Sequence, residues 1–406
     1  MNAINPQLIP YRKINKWGFT NANKEIIISA LYDGVSKFIN GFSRVERNGK
    51  CGFIDTEGLT KIPIEYEDTH SIIQGEQVSV KRNGKWGFTA KNRKLSSLFV
   101  YDYVGSFTDG LAEVKRDGKW GIIDKNGSAL LQCLNDEVRQ LSENLIAVLN
   151  GNLWCLFNTH NLNDALFSCD DLGGLINGLA IVKKNGKYGF IDNNADLIIQ
   201  LNYDNAGYFF EGFAKVKKDK KWGFINKDSD FICRPFYDKV MDFSDGMAAV
   251  KNGGKWGFIN KNGITVVPCI YREVSWFREK LALVNAGHKH GLIDTNGDII
   301  IPIIYDFIDF FFEDLAKVKL ANKWSFINKN GIIISPFFYD EVNDFSEGLA
   351  AVKKQDKWGF INKNGELIIN AIYEEVYDFD NGLAAAFENG SLLGYIDKDG
   401  KQYWED

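Results

Sequence analysis

This chain of 406 residues is poor in histidine and cysteine, has no surplus of positive charge and contains no long apolar run. Four histidines offer little to a metal cluster or a His-centred catalytic apparatus. No Gly-x-Ser-x-Gly, phosphate loop, Cys-x-x-Cys or His-Glu-x-x-His occurs. The six cysteines, Cys51, Cys133, Cys155, Cys169, Cys233 and Cys269, show no paired spacing. A disulfide framework is therefore not expected, and a reducing, cytoplasmic setting is. Lys and Arg total 48 against 53 Asp and Glu, a net charge of −5, which argues against general nucleic-acid binding. No stretch approaches the roughly 18 apolar residues of a membrane helix. The start, Met1 to Tyr11, lacks the basic and apolar segments of a secretory leader, so none is expected.

What the chain has instead is repetition. A unit of 34 residues, anchored by Lys-Trp-Gly-Phe-Ile-Asp/Asn, recurs twelve times. The Trp position falls at Trp17, Cys51, Trp86, Trp120, Trp154, Tyr188, Trp222, Trp256, His290, Trp324, Trp358 and Leu393, with two steps of 35 residues. Such a period marks an array in which each unit buries its apolar face against its neighbours.

The unit from Gly348 is representative. Leu-Ala-Ala-Val-Lys, Trp-Gly-Phe-Ile and Leu-Ile-Ile read as three antiparallel strands. Asn-Gly or Asp-Gly pairs separate them, as at Asn185-Gly186 and Asn364-Gly365. Both residues of such a turn are expected to tolerate positive φ. Alternation puts Trp and Phe on one strand face, Gly and Ile on the other, so both faces are apolar. The glycine reads as a socket for a neighbouring aromatic, replaced only by the small Cys155 and Ser325. Trp17, Trp86, Trp120, Trp222, Trp256, Trp324 and Trp358 are assigned structural packing roles.

A connector, Tyr-Asp-x-Val-x-x-Phe, follows the third strand and carries the chain to the next unit, with room for a short fourth strand. Pro63, Pro235, Pro268, Pro302 and Pro336 precede it and are expected to end that strand. Leu8 to Arg12 stands in for Leu-Ala-Ala-Val-Lys in the first unit, and the last unit stops after Trp404 without a connector.

The expected fold is all-β: a single array over residues 1–406 of twelve three-stranded antiparallel meanders. An open superhelical, solenoid-like stack is favoured because 34 residues is short for a four-stranded propeller blade. Two six-bladed propellers are the alternative. An irregularity is expected near residues 141–175, where Asn-Leu-Trp-Cys-Leu-Phe-Asn replaces the anchor.

Gly254-Lys-Trp-Gly-Phe-Ile-Asn-Lys-Asn-Gly263 and Tyr339-Asp-Glu-Val-Asn-Asp-Phe-Ser-Glu-Gly-Leu-Ala-Ala-Val352 closely resemble the bacterial WG-repeat family, also named KWG repeats. The resemblance covers essentially the whole chain. It implies a bacterial β-rich interaction or scaffolding module, in some cases the recognition or regulatory partner of an effector in conflict or defence systems. It supplies no catalytic residues and no cofactor.

Among candidate sites, Asp124-Lys-Asn-Gly127 and Asp397-Lys-Asp-Gly400 open like calcium loops but lack the closing bidentate acid, so tight turns explain them. His288 and His290 could pair on a metal, yet His290 holds the Trp position and packing is favoured. No metal site is assigned. Basic turns, Lys183, Lys184, Lys187 and Lys217, Lys218, Lys221, alternate with acidic connectors. Stacked in register, they are expected to form one basic rim and one acidic rim. The main candidate is aromatic. Just before the connector Phe, sister units place Asp242, Asp344 and Asp378, whereas three units place Tyr208, Trp276 and Phe310. Phe210 and Phe312 stand two positions further on, on the same side of an extended chain. Large aromatics in place of carboxylates suggest a partly exposed protein-binding patch. The expected function is a non-enzymatic scaffold for a protein partner, with carbohydrate binding as the alternative. No membrane, nucleic-acid or small-molecule partner is expected.

Overall fold

The structure, a computed structural model, describes residues 8–69, 77–90, 99–336 and 338–405. The expectation about a leader falls largely on residues 1–7, outside the described residues. No helix occurs among the described residues. The chain divides into two compact units, Met1–Ser168 with Gln402–Asp406, and Cys169–Lys401. Among the described residues the first holds five small sheets and the second seven, each of three or four strands.

One sheet of the second unit illustrates all. Glu341–Val342, Leu349–Lys354, Lys357–Asn362 and Leu367–Tyr373 form a meander in chain order. The connector thus contributes a two-residue strand that opens the next sheet, through Glu341↔Lys353 and Val342↔Val352. This is the short fourth strand that the connector leaves room for beside the three-stranded meander, and its Val342 is buried.

In the first unit, Trp404–Glu405 lies parallel to Ile9–Lys13, with Arg12 opposite Trp404 and Lys13 opposite Glu405. The chain's last strand therefore completes its first sheet.

The two-faced strand is confirmed in the core. Phe326 of one sheet meets Ala350, Val352 and Ile361 of the next, with Tyr339, Val342 and Phe345 of the intervening connector between them. The connector Phe meets the strand Phe edge to face: Phe326–Phe345 centroids are 4.9 Å apart and Phe360–Phe379 4.8 Å. Such pairs add about 0.5–1.5 kcal/mol beyond area burial.

Three local expectations change. First, the glycine socket receives backbone, not an aromatic ring. In the sheet containing Gly52, Cys51 faces Tyr66 and Phe53 faces Ile62, so four third-strand residues advance against two. The resulting bulge folds over Gly52, where a Cβ would lie 2.5 Å from the Ile62 oxygen and 2.6 Å from the Pro63 oxygen. Second, Pro63 stands inside the strand Thr60–Tyr66, as do Pro235, Pro268 and Pro302 in theirs. A bulge needs no ladder N–H there, so proline does not end the strand. Third, the two kinds of turn differ. At Asn83-Gly84 both φ angles are positive, 51° and 74°. At Asn126-Gly127 only the glycine is, with φ 81°, because Asp124 Oδ1 accepts the N–H groups of Asn126 and Ser128, each at 2.8 Å. That is the physical reason the anchor ends in Asp or Asn.

Candidate interaction surface

Charge is spent within the fold first. In several units the Lys before the anchor aromatic reaches the Asp after the connector Tyr: Lys187 to Asp204 and Lys221 to Asp238, both at 2.6 Å. The second oxygen of that Asp accepts a turn N–H from the following hairpin, as Asp204 does from Asp219 at 2.9 Å and Asp238 from Gly253 at 3.1 Å. These bonds hold the carboxyls of Asp204 and Asp238 below their ordinary range, the lysine hydrogen bond contributing most. Lys183 lies over the Tyr188 ring at 5.3 Å and Lys217 over Trp222 at 5.7 Å. Lys184 is half-buried and Lys218 exposed. Of the basic turns, Lys187 and Lys221 are thus tied to acidic connectors.

The anchor tryptophans differ in burial. Trp86 and Trp256 are buried, while Trp17, Trp120, Trp222, Trp324 and Trp358 are half-buried. Lys115, Lys251, Lys319 and Lys353 cover Trp120, Trp256, Trp324 and Trp358 at 5.2 to 5.9 Å. His290, in the Trp position, uses both ring nitrogens: Nδ1 faces the Asp306 carbonyl at 3.0 Å and Nε2 the Asn285 amide at 2.9 Å. No metal-binding group of three or more such side chains occurs among the described residues.

The residues before the connector Phe form a row along the second unit, because positions 34 residues apart fall on adjacent sheets. The Trp276 and Phe310 rings stack, with centroids 6.0 Å apart and planes at 23°. Trp276 is 56% exposed and Phe310 half-buried. The exposed Arg278 guanidinium lies over Phe310 at 5.6 Å and over Phe312 at 5.0 Å, so those phenylalanines do share a side. Arg278 went unnoticed in the sequence. Its only signal was an arginine two positions after an out-of-pattern tryptophan.

Ion pairs stand at both neighbouring positions. On one side Lys215 binds Asp242 at 2.8 Å. On the other Lys317 binds Asp344 at 2.9 Å and Asp309 at 3.2 Å. Burial pushes the Asp344 carboxyl above its ordinary range, against the pull of Lys317 and with added repulsion from Asp309 and Asp378. Burial also opposes the charge on Lys317, but the two aspartates outweigh it and raise the lysine. The arrangement is an aromatic centre with a charged border.

Tyr208 packs against the preceding sheet. Its hydroxyl accepts the Gly174 N–H at 3.1 Å and its ring end occupies the space a Gly173 side chain would need. The Gly173-Gly174 pair thus accounts for the tyrosine. Phe210 is 39% exposed on the same strand, Asn205–Phe210. The structure therefore joins Trp276, Phe310 and Phe312 into one cluster and leaves Tyr208 packed on the preceding sheet.

The sequence matches the WG containing repeat over residues 17–51, 52–86, 91–120, 120–154, 167–188, 188–222, 222–256, 256–289, 291–324, 324–358 and 358–391. No curated protein matches the chain. Among solved structures it is similar to a eukaryotic initiation factor, at 13% identity over 81% of this chain and 94% of that one, TM-score 0.35. It is also similar to BamB from Moraxella catarrhalis, at 9% identity over 66% and 92%, TM-score 0.30. A third likeness is to Kluyveromyces lactis Hsv2p, at 11% identity over 66% and 95%, TM-score 0.31. Likeness at that level transfers neither fold nor function. Matched eleven times between Trp17 and Ser391, the chain belongs to the WG-repeat family.

Proposed function

We propose that the chain is a non-enzymatic scaffold that captures a protein partner through Trp276, Phe310, Phe312 and Arg278. The observation carrying this reading is the exposed Trp276 ring, stacked on Phe310 beside Arg278 and bordered by ion pairs. Tryptophan and arginine dominate interface hot spots because they bury large area and still make directional contacts. The family resemblance extends the proposal to a recognition or regulatory partner of an effector in a bacterial conflict system. A reducing, cytoplasmic setting belongs to the same reading, supported by the unpaired spacing of the six cysteines.

The test is affinity capture from the native bacterial lysate, with wild type beside Trp276→Ala/Arg278→Ala, and retained proteins identified by mass spectrometry. Both side chains are exposed, so the variant should fold normally. A protein retained by the wild type and lost by the variant supports the scaffold. Equal retention by both refutes the assignment of the surface. Carbohydrate binding is favoured by one observation, the open indole of Trp276. A glycan array answered by the wild type and silent for the variant would move the reading there.

A further inference from the structure

Four departures from the repeat converge at one place in the first unit. Asn135 holds the position of the connector Tyr: it faces Trp120 as Tyr237 faces Trp222 and Tyr271 faces Trp256. Leu153 stands where other units hold the lysine that binds the connector Asp. Cys155 replaces the glycine, and Phe157 replaces the isoleucine. All four line a single cavity of about 230 Å³, completed by Leu131, Val148, Asn150 and Leu162. Random drift would scatter such changes over both faces of the sheet.

The physical origin of the space is clear from the sister sheets. Tyr237 and Tyr271 are buried between neighbouring sheets, packed against the next sheet's Val250 and Val284. Asn135 is shorter by most of a phenol ring and turns back on its own sheet, donating to the carbonyls of Trp120 at 3.2 Å and Gln132 at 3.1 Å. Cys155 cannot accept the bulged third strand that glycine accepts elsewhere. The long strand is reduced to Phe167–Cys169, and the loop before it brings Leu162 into the lining. The walls are apolar, while Asn150 is exposed at the mouth and donates to Asn135 Oδ1 at 3.2 Å. An apolar cavity of about 150 Å³ suffices to bind benzene in a protein interior.

We infer that this cavity is a binding site for a single-ring aromatic molecule of the phenol class, which takes the place of the missing tyrosine ring. The ring packs on Leu131, Val148, Phe157 and Leu162, and its hydroxyl meets the Asn150 carboxamide at the mouth. The site is independent of the Trp276 surface, which lies in the other unit.

The probe is p-cresol, the free side chain of tyrosine, added to the full chain. The readout is alkylation of Cys155 by N-ethylmaleimide, followed by peptide mass spectrometry, with Cys233 and Cys269 as internal references. Near-saturating p-cresol should slow Cys155 alkylation about tenfold by occupancy and leave both references unchanged. The Asn135→Tyr variant fills the space from within and should lose that protection while melting at a higher temperature. Equal Cys155 rates with and without p-cresol overturn the site, as does equal slowing of all three cysteines. Protection that persists in a folded Asn135→Tyr protein also overturns it. Should that variant not fold, the wild-type comparison of Cys155 with its references decides.

Discussion

Gly52→Ala tests the idea that the anchor glycine exists to admit a bulged strand. The added Cβ would stand 2.5 Å from the Ile62 oxygen, 2.6 Å from the Pro63 oxygen and 2.8 Å from the Pro63 carbonyl carbon. Real Cβ atoms essentially never approach within 3.0 Å, and ordinary contact begins at 3.4 Å. The third strand must therefore retreat by 3.4 − 2.5 = 0.9 Å. That retreat strains the ladder of Lys50–Asp55 with Thr60–Tyr66 and lifts Tyr66 from Val78 and Val80. Overpacking of this size costs about 1–3 kcal/mol, and weakening ladder hydrogen bonds adds about 1 kcal/mol, so about 3 kcal/mol is expected. The control is Gly34→Ala, whose Cβ meets only the Glu46 Cβ at 3.8 Å and should change stability by less than about 0.5 kcal/mol. Urea unfolding gives the magnitude, and hydrogen exchange should show faster opening of residues 60–66 and of the sheet behind them, since repeats couple to neighbours. If the two alanine variants are equally stable, the backbone-socket account is wrong.

Other expectations follow from the same geometry. Phe360→Ala removes a fully buried ring paired with Phe379 and should cost about 3–5 kcal/mol, whereas Trp276→Ala should stay within about 0.5 kcal/mol of wild type; thermal melts of the two variants compare them. The lysine-bound carboxyls of Asp238, Asp306 and Asp340 lie below their unfolded range. Their contribution is therefore complete above the unfolded pKa of about 3.9 and is lost as pH falls through the lower folded values. The triple Asn variant should be less stable near neutrality and show a flatter decline with acid; an unchanged acid-unfolding profile by circular dichroism refutes the latch. Ser325→Val should destabilise the protein, because the buried Ser325 hydroxyl donates to the Ser335 carbonyl. Loss of that donor leaves a buried oxygen unpaired at about 1–3 kcal/mol, and a urea midpoint no lower than wild type argues against it.

The sequence of this chain determines by itself the all-β class and the register of its repeating units. Hydrophobic period and turn chemistry are local, and they repeat often enough to average out exceptions such as Cys51 and His290. It also picks out Trp276, Phe310 and Phe312, because an aromatic among sister carboxylates is visible from composition alone. Tertiary structure decides what those residues touch. Tyr208 fits the same rule in sequence, yet Gly173 and Gly174, one repeat earlier, draw it onto the preceding sheet. Arg278 joins the cluster only because the connector of the next sheet brings Phe310 and Phe312 beneath it. Basic and acidic segments that alternate along the chain become partners 17 residues apart, as Lys221 and Asp238 do, once the third strand doubles back. The bulge over the glycine and the pairing of Arg12 with Trp404 are likewise contacts between distant segments. Their free energy comes from burial and hydrogen bonds that exist only after neighbouring sheets meet, and a local pattern cannot encode them.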